Sequence, residues 1–157
     1  MSKFQLKNFF KSAYDLMLVF LQFFIISLHF FQWEFLPQKQ IIQGTPFSYL
    51  LGILIIIIAF IIMLVSIKDL GRNLSPFPRP INNSNLVTTG IYRFTRHPMY
   101  YSLIFISIGF FIIKLSIYYL FLTISLALII KFKIALEEKY LINKFKNYLL
   151  YKNEVKV

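Results

Sequence analysis

The feature that most constrains this chain is the segment from Phe47 to Ile67, which contains no charged residue and is dominated by Ile and Leu. A helix that crosses the hydrocarbon core of a bilayer needs roughly 20 such residues. The whole chain is 58% hydrophobic and only 15% charged, whereas about 25% of the residues in a soluble domain are charged. This excess of apolar surface predicts an integral membrane protein.

Further apolar segments give four predicted transmembrane helices in all, at about 16–33, 47–67, 99–113 and 115–130. We expect the first to be a retained helix, anchored by Trp33 at headgroup level, because no small-residue signal cleavage site follows it. The last two cannot form one helix. A helix from Met99 to Ile130 would be about 48 Å long, against a hydrocarbon core of about 30 Å, and would bury Lys114 near its middle. A helical hairpin that turns at Lys114 is therefore predicted.

Positive charge predicts the orientation. Of the 17 Lys and Arg residues, all but Lys39 and Lys114 lie in the N-terminal segment, in a central loop from Lys68 to Arg96, or in the C-terminal tail. The positive-inside rule places these three regions, with both termini, in the cytoplasm. The net charge of +11 is thereby explained by topology, and we expect membrane lipids rather than nucleic acid as partners.

The central loop is rich in Gly, Pro and Asn, which predicts a non-helical, partly extended segment. The tail from Lys133 to Leu150 carries apolar residues at approximately helical spacing, which predicts an amphipathic helix along the cytoplasmic membrane surface. The predicted fold is a single all-α domain over residues 1–157: four transmembrane helices, a hairpin and this C-terminal helix. With no Cys and two His, no metal site is expected.

Two motifs indicate chemistry, in residues 86–100 and 133–138. The first contains Gly-Ile-Tyr-Arg-Phe-Thr-Arg-His-Pro-Met-Tyr at positions 90–100, and the second contains Glu137-Glu138. In a hairpin, His97 enters the third span from the cytoplasm and Glu137 follows the fourth span as it returns. Polar groups that converge at the mouth of a helical bundle predict a ligand site.

These residues resemble the isoprenylcysteine carboxyl methyltransferase and phospholipid methyltransferase family, whose mark is Arg-His-Pro-x-Tyr followed by Glu-Glu. The similarity covers about residues 70–151. The run Leu70-Gly-Arg-Asn-Leu-Ser-Pro-Phe-Pro-Arg-Pro80 also looks like bacterial members of the family, which suggests a bacterial inner membrane. Two departures stand out: Lys133 replaces the usual Arg, and Phe145-Lys-Asn-Tyr148 lacks the usual Gly.

The resemblance implies an S-adenosyl-L-methionine-dependent methyltransferase. In this family Glu137 would pair with the cofactor's ammonium group, Tyr92 and Tyr100 would offer ring faces to adenine or the sulfonium, and Lys133 would lie toward the substrate. Arg96 would hold the cofactor carboxylate or a lipid phosphate. The implied cofactor-binding residues are Leu86, Val87, Tyr92, His97, Pro98, Met99, Tyr100, Glu137 and Glu138.

The acceptor stays open between a prenylated thiol compound methylated on its carboxyl group, which is favoured, and a phospholipid amine methylated on nitrogen. A non-catalytic membrane protein that retains the fold is a third possibility, motivated by Lys133 and the shortened tail. Each motif also has a structural interpretation. His97 can cap the third helix beside Pro98, and Glu137 can be a surface charge paired with Lys133 one turn earlier.

Overall fold

The computed structural model describes residues 3–30, 40–41 and 43–155. Within them, the regular secondary structure is helical, apart from an isolated bridge between Gln40 and Ser116, and residues 74–89 of the central loop are not helical. The helices are α1 (Lys3–Leu28), α2 (Pro46–Leu70), α3 (Pro98–Lys114), α4 (Ile117–Lys144) and α5 (Tyr148–Glu154). Single 3₁₀ turns, Gly71–Asn73 and Gly90–Arg93, lie near the two ends of the central loop. The all-α prediction is confirmed.

A capping box starts α2. Thr45 Oγ1 accepts a hydrogen bond from Ser48 N at 3.2 Å, and Ser48 Oγ accepts one from Thr45 N at 3.0 Å. These bonds satisfy backbone groups that a helix start leaves unpaired. The helix continues past its predicted end at Ile67 and stops only where Gly71 adopts a φ of 53°, so the first residues of the central loop are helical.

The packing of α2 against α3 depends on two glycines. A Cβ atom on Gly52 would lie 2.8 Å from Gly109 O, and one on Gly109 would lie 2.9 Å from Gly52 O. The two backbones are therefore in direct contact, which is how small residues hold helices together in lipid. The opposite side of α2 exposes large apolar side chains such as Ile53, Ile57 and Ile61, as a lipid-facing surface requires.

The hairpin between α3 and α4 forms where predicted. After Lys114 the chain reverses at Leu115, whose φ of 43° is left-handed. Ser116 then caps α4, its hydroxyl accepting from Tyr118 N at 3.2 Å. A left-handed residue followed by a capping serine ends one helix and starts the next without a longer loop.

The fourth predicted transmembrane segment, which ends near Ile130, covers only the first part of helix α4. α4 runs without interruption to Lys144, and the predicted surface helix over Lys133–Leu150 is divided between the end of α4 and the short α5. No Gly or Pro occurs between Ile117 and Lys144, so nothing in the sequence breaks the helix where its charges begin. The extension carries Lys133 and both glutamates on one rigid element.

Apolar and polar contacts join α1, α3 and α4. Ile25, Tyr100, Leu122, Leu126 and Ile130 form the buried apolar cluster. Beside it, His29 Nε2 contacts Ser107 Oγ at 2.7 Å, and Ser107 Oγ contacts Thr123 Oγ1 at 2.8 Å. His29 Nδ1 also lies 2.9 Å from Ile25 O. His29 is thus a packing residue, as polar side chains between membrane helices commonly are.

Two helical stretches, Pro46–Asn73 and Ile117–Lys144, are long and apolar enough to cross a membrane, and Ala13–Leu28 and Pro98–Lys114 are shorter apolar helices. These findings agree with a membrane protein, while the crossing of all four stays a prediction. The predicted anchor Trp33 and the predicted far-side charge Lys39 lie outside the described residues.

Candidate active site

A cavity lies where the central loop meets the start of α3, the last turns of α4 and helix α5. The space between its walls is about 750 Å³ when its open mouth is included. The predicted site residues that line it are Leu86, Val87, Tyr92, Arg96, His97, Met99, Tyr100 and Glu137. Pro98, Lys133 and Glu138 are not on its wall.

A tight turn at Gly90 presents the first motif to this cavity. Gly90 has a φ of 62°, and a Cβ atom there would lie 2.0 Å from Asp69 Oδ2. The same carboxylate oxygen accepts a hydrogen bond from Ile91 N at 2.8 Å. Only glycine fits this conformation and this contact. The turn therefore attaches the motif to the end of α2.

His97 occupies the position before α3, but its side chain does not cap the helix. The ring is buried, with 4% exposure, and is stacked on Tyr100 at a centroid distance of 5.7 Å. Its Nε2 atom lies 3.5 Å from Glu138 Oε1, without hydrogen-bond geometry, and has no hydrogen-bond partner. A buried polar atom of this kind requires an explanation other than helix capping.

Glu137 and the two predicted tyrosines lie on the same cavity wall. Glu137 Oε2 is buried without a hydrogen-bond partner, while the Glu137 carboxylate also interacts with the Tyr100 hydroxyl. Burial, and after it the nearby charge of Glu137, raises the pKa of Tyr92 well above its ordinary value. The wall thus combines neutral phenols with one carboxylate oxygen that is free to accept.

Glu138, the second acid of the pair, points to other partners. Arg96 Nε donates to Glu138 Oε1 at 3.0 Å, Arg96 Nη2 lies 2.9 Å from the same oxygen, and Lys152 Nζ lies 2.6 Å from Oε2. Arg96 Nη1 also donates to Lys152 O at 3.1 Å and to Val155 O. Arg96 and Glu138 therefore hold α5 against α4, and Arg96 at the same time forms part of the cavity wall.

Lys133 lies at the junction of three elements rather than on the cavity wall. Its side chain is 1% exposed, and Nζ donates to Gln22 Oε1 of α1 at 2.5 Å and to Pro76 O of the central loop at 3.0 Å. Nζ also lies 5.1 Å from the centre of the Tyr100 ring, within cation–π range. Among the described residues, no carboxylate forms an ion pair with it.

Cationic side chains attach the central loop to the helices. Arg79 Nη2 lies 3.2 Å from Asp15 Oδ2 of α1, and the same carboxylate accepts from the Tyr140 hydroxyl at 3.2 Å. Lys144 Nζ donates to Asn82 O at 3.0 Å, to Ser84 Oγ at 2.8 Å and to Ile81 O. The loop is thereby held over the cavity, and Arg79 is itself part of the wall.

Sequence reasoning missed several wall residues. From the central loop these include Asn73, Ser84 and Asn85, and from the C-terminal part Leu141, Phe145, Tyr148 and Tyr151. Asn73 lies in the run Leu70–Pro80, which resembles the family but carried no assigned site role, whereas Ser84 and Asn85 belong to no motif and have no local signal. The available signal for the tyrosines is that Tyr148 and Tyr151, which follow α4, are three residues apart. This spacing puts two side chains on one face of a helix.

Comparison with protein families matches residues 47–148 to the phospholipid methyltransferase family. Comparisons with curated proteins and with solved structures find no match. The matched stretch begins in the first turn of α2 and ends at the first residue of α5, so it contains both motifs and most of the cavity wall. The family predicted from the motifs is confirmed: the chain belongs to the phospholipid methyltransferase family of membrane methyltransferases.

Proposed function

We propose that this protein is an S-adenosyl-L-methionine-dependent methyltransferase that binds its cofactor in the cavity beneath the central loop. The observation that carries the proposal is a pair of buried atoms on that wall that make no hydrogen bond within the fold: Glu137 Oε2, and His97 Nε2, whose nearest charged neighbour is Glu138 Oε1 at 3.5 Å. Buried polar atoms are almost always hydrogen-bonded. A ligand with its own polar groups would satisfy both.

The wall suits the chemical groups of this cofactor. When bound, it supplies a methyl group on a sulfonium. Glu137 would accept from its ammonium or hydroxyl groups, and Tyr92 and Tyr100 would offer aromatic faces to a cation or to a planar base. Leu86, Val87 and Met99 add apolar surface. Because positive charge disappears during methyl transfer, a desolvated pocket favours the reaction.

We place this cavity at the cytoplasmic face of a four-span bundle. The 28 residues of α4 would extend about 42 Å, which exceeds a hydrocarbon core of about 30 Å. If Ile117 lies at the far boundary, the turns that carry Glu137 and Lys144 extend past the near one. The cofactor then enters from the cytoplasm and the acceptor from the bilayer.

A carboxylate acceptor is the leading proposal, because Lys133 is a buried cation without an ion-pair partner among the described residues. A buried charge is costly unless it is paired. Glu137 acts on Lys133 electrostatically but forms no direct ion pair with it, so an acceptor carboxylate would add the direct partner. Such an acceptor is already ionised, so its methylation needs no general base. The acceptor class is lipid-like or prenylated.

The second candidate is N-methylation of a phospholipid amine, favoured by the family that the chain matches. An ammonium group must lose a proton before it can attack, and His97 is the buried residue on the wall best suited to accept it. Under this alternative the His97→Gln variant loses turnover but retains cofactor affinity.

Calorimetric titration of the detergent-purified protein with S-adenosylhomocysteine tests the cofactor. Binding in the micromolar range is expected, and no binding at high micromolar ligand would refute the enzyme and leave the non-catalytic alternative. The acceptor is tested with radiolabelled cofactor and either S-farnesylcysteine or phosphatidylethanolamine vesicles. Mild base releases labelled methanol from a methyl ester and leaves an N-methyl group intact, so the two candidates give opposite results.

A further inference from the structure

Helix α5 lies almost entirely beyond the stretch that matches the family, which ends at Tyr148. It nevertheless supplies two side chains to the cavity wall, Tyr148 and Tyr151. Both tyrosines are buried, and their rings contact each other edge to face at a centroid distance of 6.0 Å. Their hydroxyl groups, however, have different surroundings.

The Tyr151 hydroxyl has a structural partner. It donates to Tyr92 O at 2.6 Å, which ties α5 to the 3₁₀ turn of the first motif. Burial raises the pKa of Tyr151 to about 12, so this phenol stays protonated and keeps donating at physiological pH. Tyr151 is therefore occupied by the fold itself.

The Tyr148 hydroxyl has no hydrogen-bond partner, although the residue is only 1% exposed. Buried tyrosine hydroxyls usually find a partner, because leaving one unpaired sacrifices its hydrogen bond with water. Burial also raises the pKa of Tyr148 well above its ordinary value, so the group is a neutral donor. The ring is held by packing while its polar end is free.

Unpaired atoms concentrate at this cavity. Within the described residues, four buried side-chain atoms lack hydrogen-bond partners, on Thr95, His97, Glu137 and Tyr148. All of these residues except Thr95 line the cavity. Unpaired polar groups scattered by chance would not collect on one wall, whereas groups reserved for a ligand would.

We propose that Tyr148 binds the ligand directly, donating its hydroxyl hydrogen to a carboxylate or hydroxyl oxygen of the cofactor, and that α5 thereby completes the site. The proposal rests on the cofactor assignment above. It gives Arg96 and Glu138 a positioning role, because their contacts to Lys152 and Val155 keep α5 in place. Tyr148 recognises the ligand, and the ion-pair cluster keeps Tyr148 within reach.

The test compares Tyr148→Phe with Tyr151→Phe in the full-length, detergent-purified protein, using S-adenosylhomocysteine titration and thermal unfolding. Loss of one ligand hydrogen bond weakens affinity by about tenfold, so Tyr148→Phe should show this loss with an unchanged melting temperature. Tyr151→Phe should instead lower the melting temperature, because it removes a bond within the fold. Wild-type affinity in Tyr148→Phe overturns the inference.

A second measurement keeps both the ring and the hydroxyl group of Tyr148. With 3-fluorotyrosine at position 148, the fluorine resonance should shift when S-adenosylhomocysteine is added, and an unmoved resonance in a protein that binds the compound contradicts a direct contact. Failure of the wild-type protein to bind the compound refutes the cofactor assignment. Normal wild-type binding with an unaffected Tyr148→Phe variant refutes only the role of Tyr148.

Discussion

Arg96 and Glu138 form a buried ion pair in which two guanidinium nitrogens, Nε and Nη2, lie 3.0 and 2.9 Å from one carboxylate oxygen. Each residue is the sequence neighbour of a cavity residue, Arg96 of His97 and Glu138 of Glu137. In both pairs one side chain holds α5 and its neighbour lines the cavity, and Arg96 also forms part of the cavity wall. The two motifs therefore separate a supporting role from a binding role within adjacent residues.

Breaking this ion pair should destabilise the protein. Glu138→Gln leaves the buried Arg96 without a carboxylate, and breaking a buried pair in this way costs about 3–5 kcal/mol, so it should lower the melting temperature clearly. Arg96→Met should lower it less, because Glu138 keeps its contact with Lys152. Thermal unfolding of the purified variants measures the effect. Lys152→Met is the matched control: Lys152 contacts the same carboxylate from a side chain that is 36% exposed, and exposed pairs contribute about 0–1 kcal/mol. Equal effects in all three would contradict the assignment.

Substitution of the neighbouring residues His97 and Glu137 should affect ligand affinity more than thermal stability. His97→Ala and Glu137→Gln should weaken S-adenosylhomocysteine binding by about tenfold or more, as expected for bonds worth about 1.5–3 kcal/mol with charged groups. Glu137→Gln should leave the melting temperature unchanged, because Oε2 makes no hydrogen bond within the fold. Titration and thermal unfolding on the same preparations separate the two quantities. Unchanged affinity in both variants would remove these residues from the site.

Substitution of Gly90 should disrupt the turn that carries the first motif. Gly90→Ala forces alanine into a left-handed conformation, which costs about 1–2 kcal/mol, and places its Cβ atom 2.0 Å from Asp69 Oδ2. Gly71→Ala is the control, since Gly71 also has a positive φ, 53°, but has no atom within 4 Å of its Cβ position. We expect a larger loss of melting temperature and of ligand affinity in Gly90→Ala. Indistinguishable variants would show that the Asp69 contact does not matter.

Loss of the contacts between Lys144 and the central loop should change the rate of ligand dissociation more than the stability of the protein. Lys144→Met removes the contacts to Ile81, Asn82 and Ser84, so hydrogen exchange at the backbone amides of this segment should increase. Dissociation of S-adenosylhomocysteine, followed by stopped-flow displacement, should become faster. Lys139→Met, an exposed lysine of the same helix, changes the charge equally without touching the loop. Equal exchange rates in both variants would contradict the attachment.

The sequence was sufficient for the elements whose signals are local. Leu115 and Ser116 turn the chain next to the predicted position, Lys114, and the hairpin then puts His97 and Glu137 on one cavity wall. The extent of α4 was not evident, because Lys131 and Lys133 mark where the apolar run ends but do not break a helix. Charge was interpreted as a helix boundary, whereas only Gly, Pro or a cap defines one.

Contacts between distant elements could not be read from the sequence. Asp15 and Gln22 of α1 lie far from both motifs along the chain, yet they contact Arg79 and Lys133 near the cavity. Neither residue belongs to a pattern, because a long-range polar contact leaves no local periodicity. The same holds for Lys152, which reaches Glu138 only because α5 packs back against α4.

The hydrogen-bonded connection of His29, Ser107 and Thr123 has a consequence for biogenesis. α1 is synthesised first, and at that stage His29 can reach only Ile25 of its own helix. Its partner Ser107 lies on α3, which contacts Thr123 on α4. If all four helices cross the membrane, as we propose, the first helix therefore exposes a polar side chain to lipid or to the insertion machinery until the hairpin inserts, and its final position depends on the last two helices. A chain truncated before residue 98 should leave α1 without its contacts to α3 and α4 and therefore more open to quality-control proteolysis.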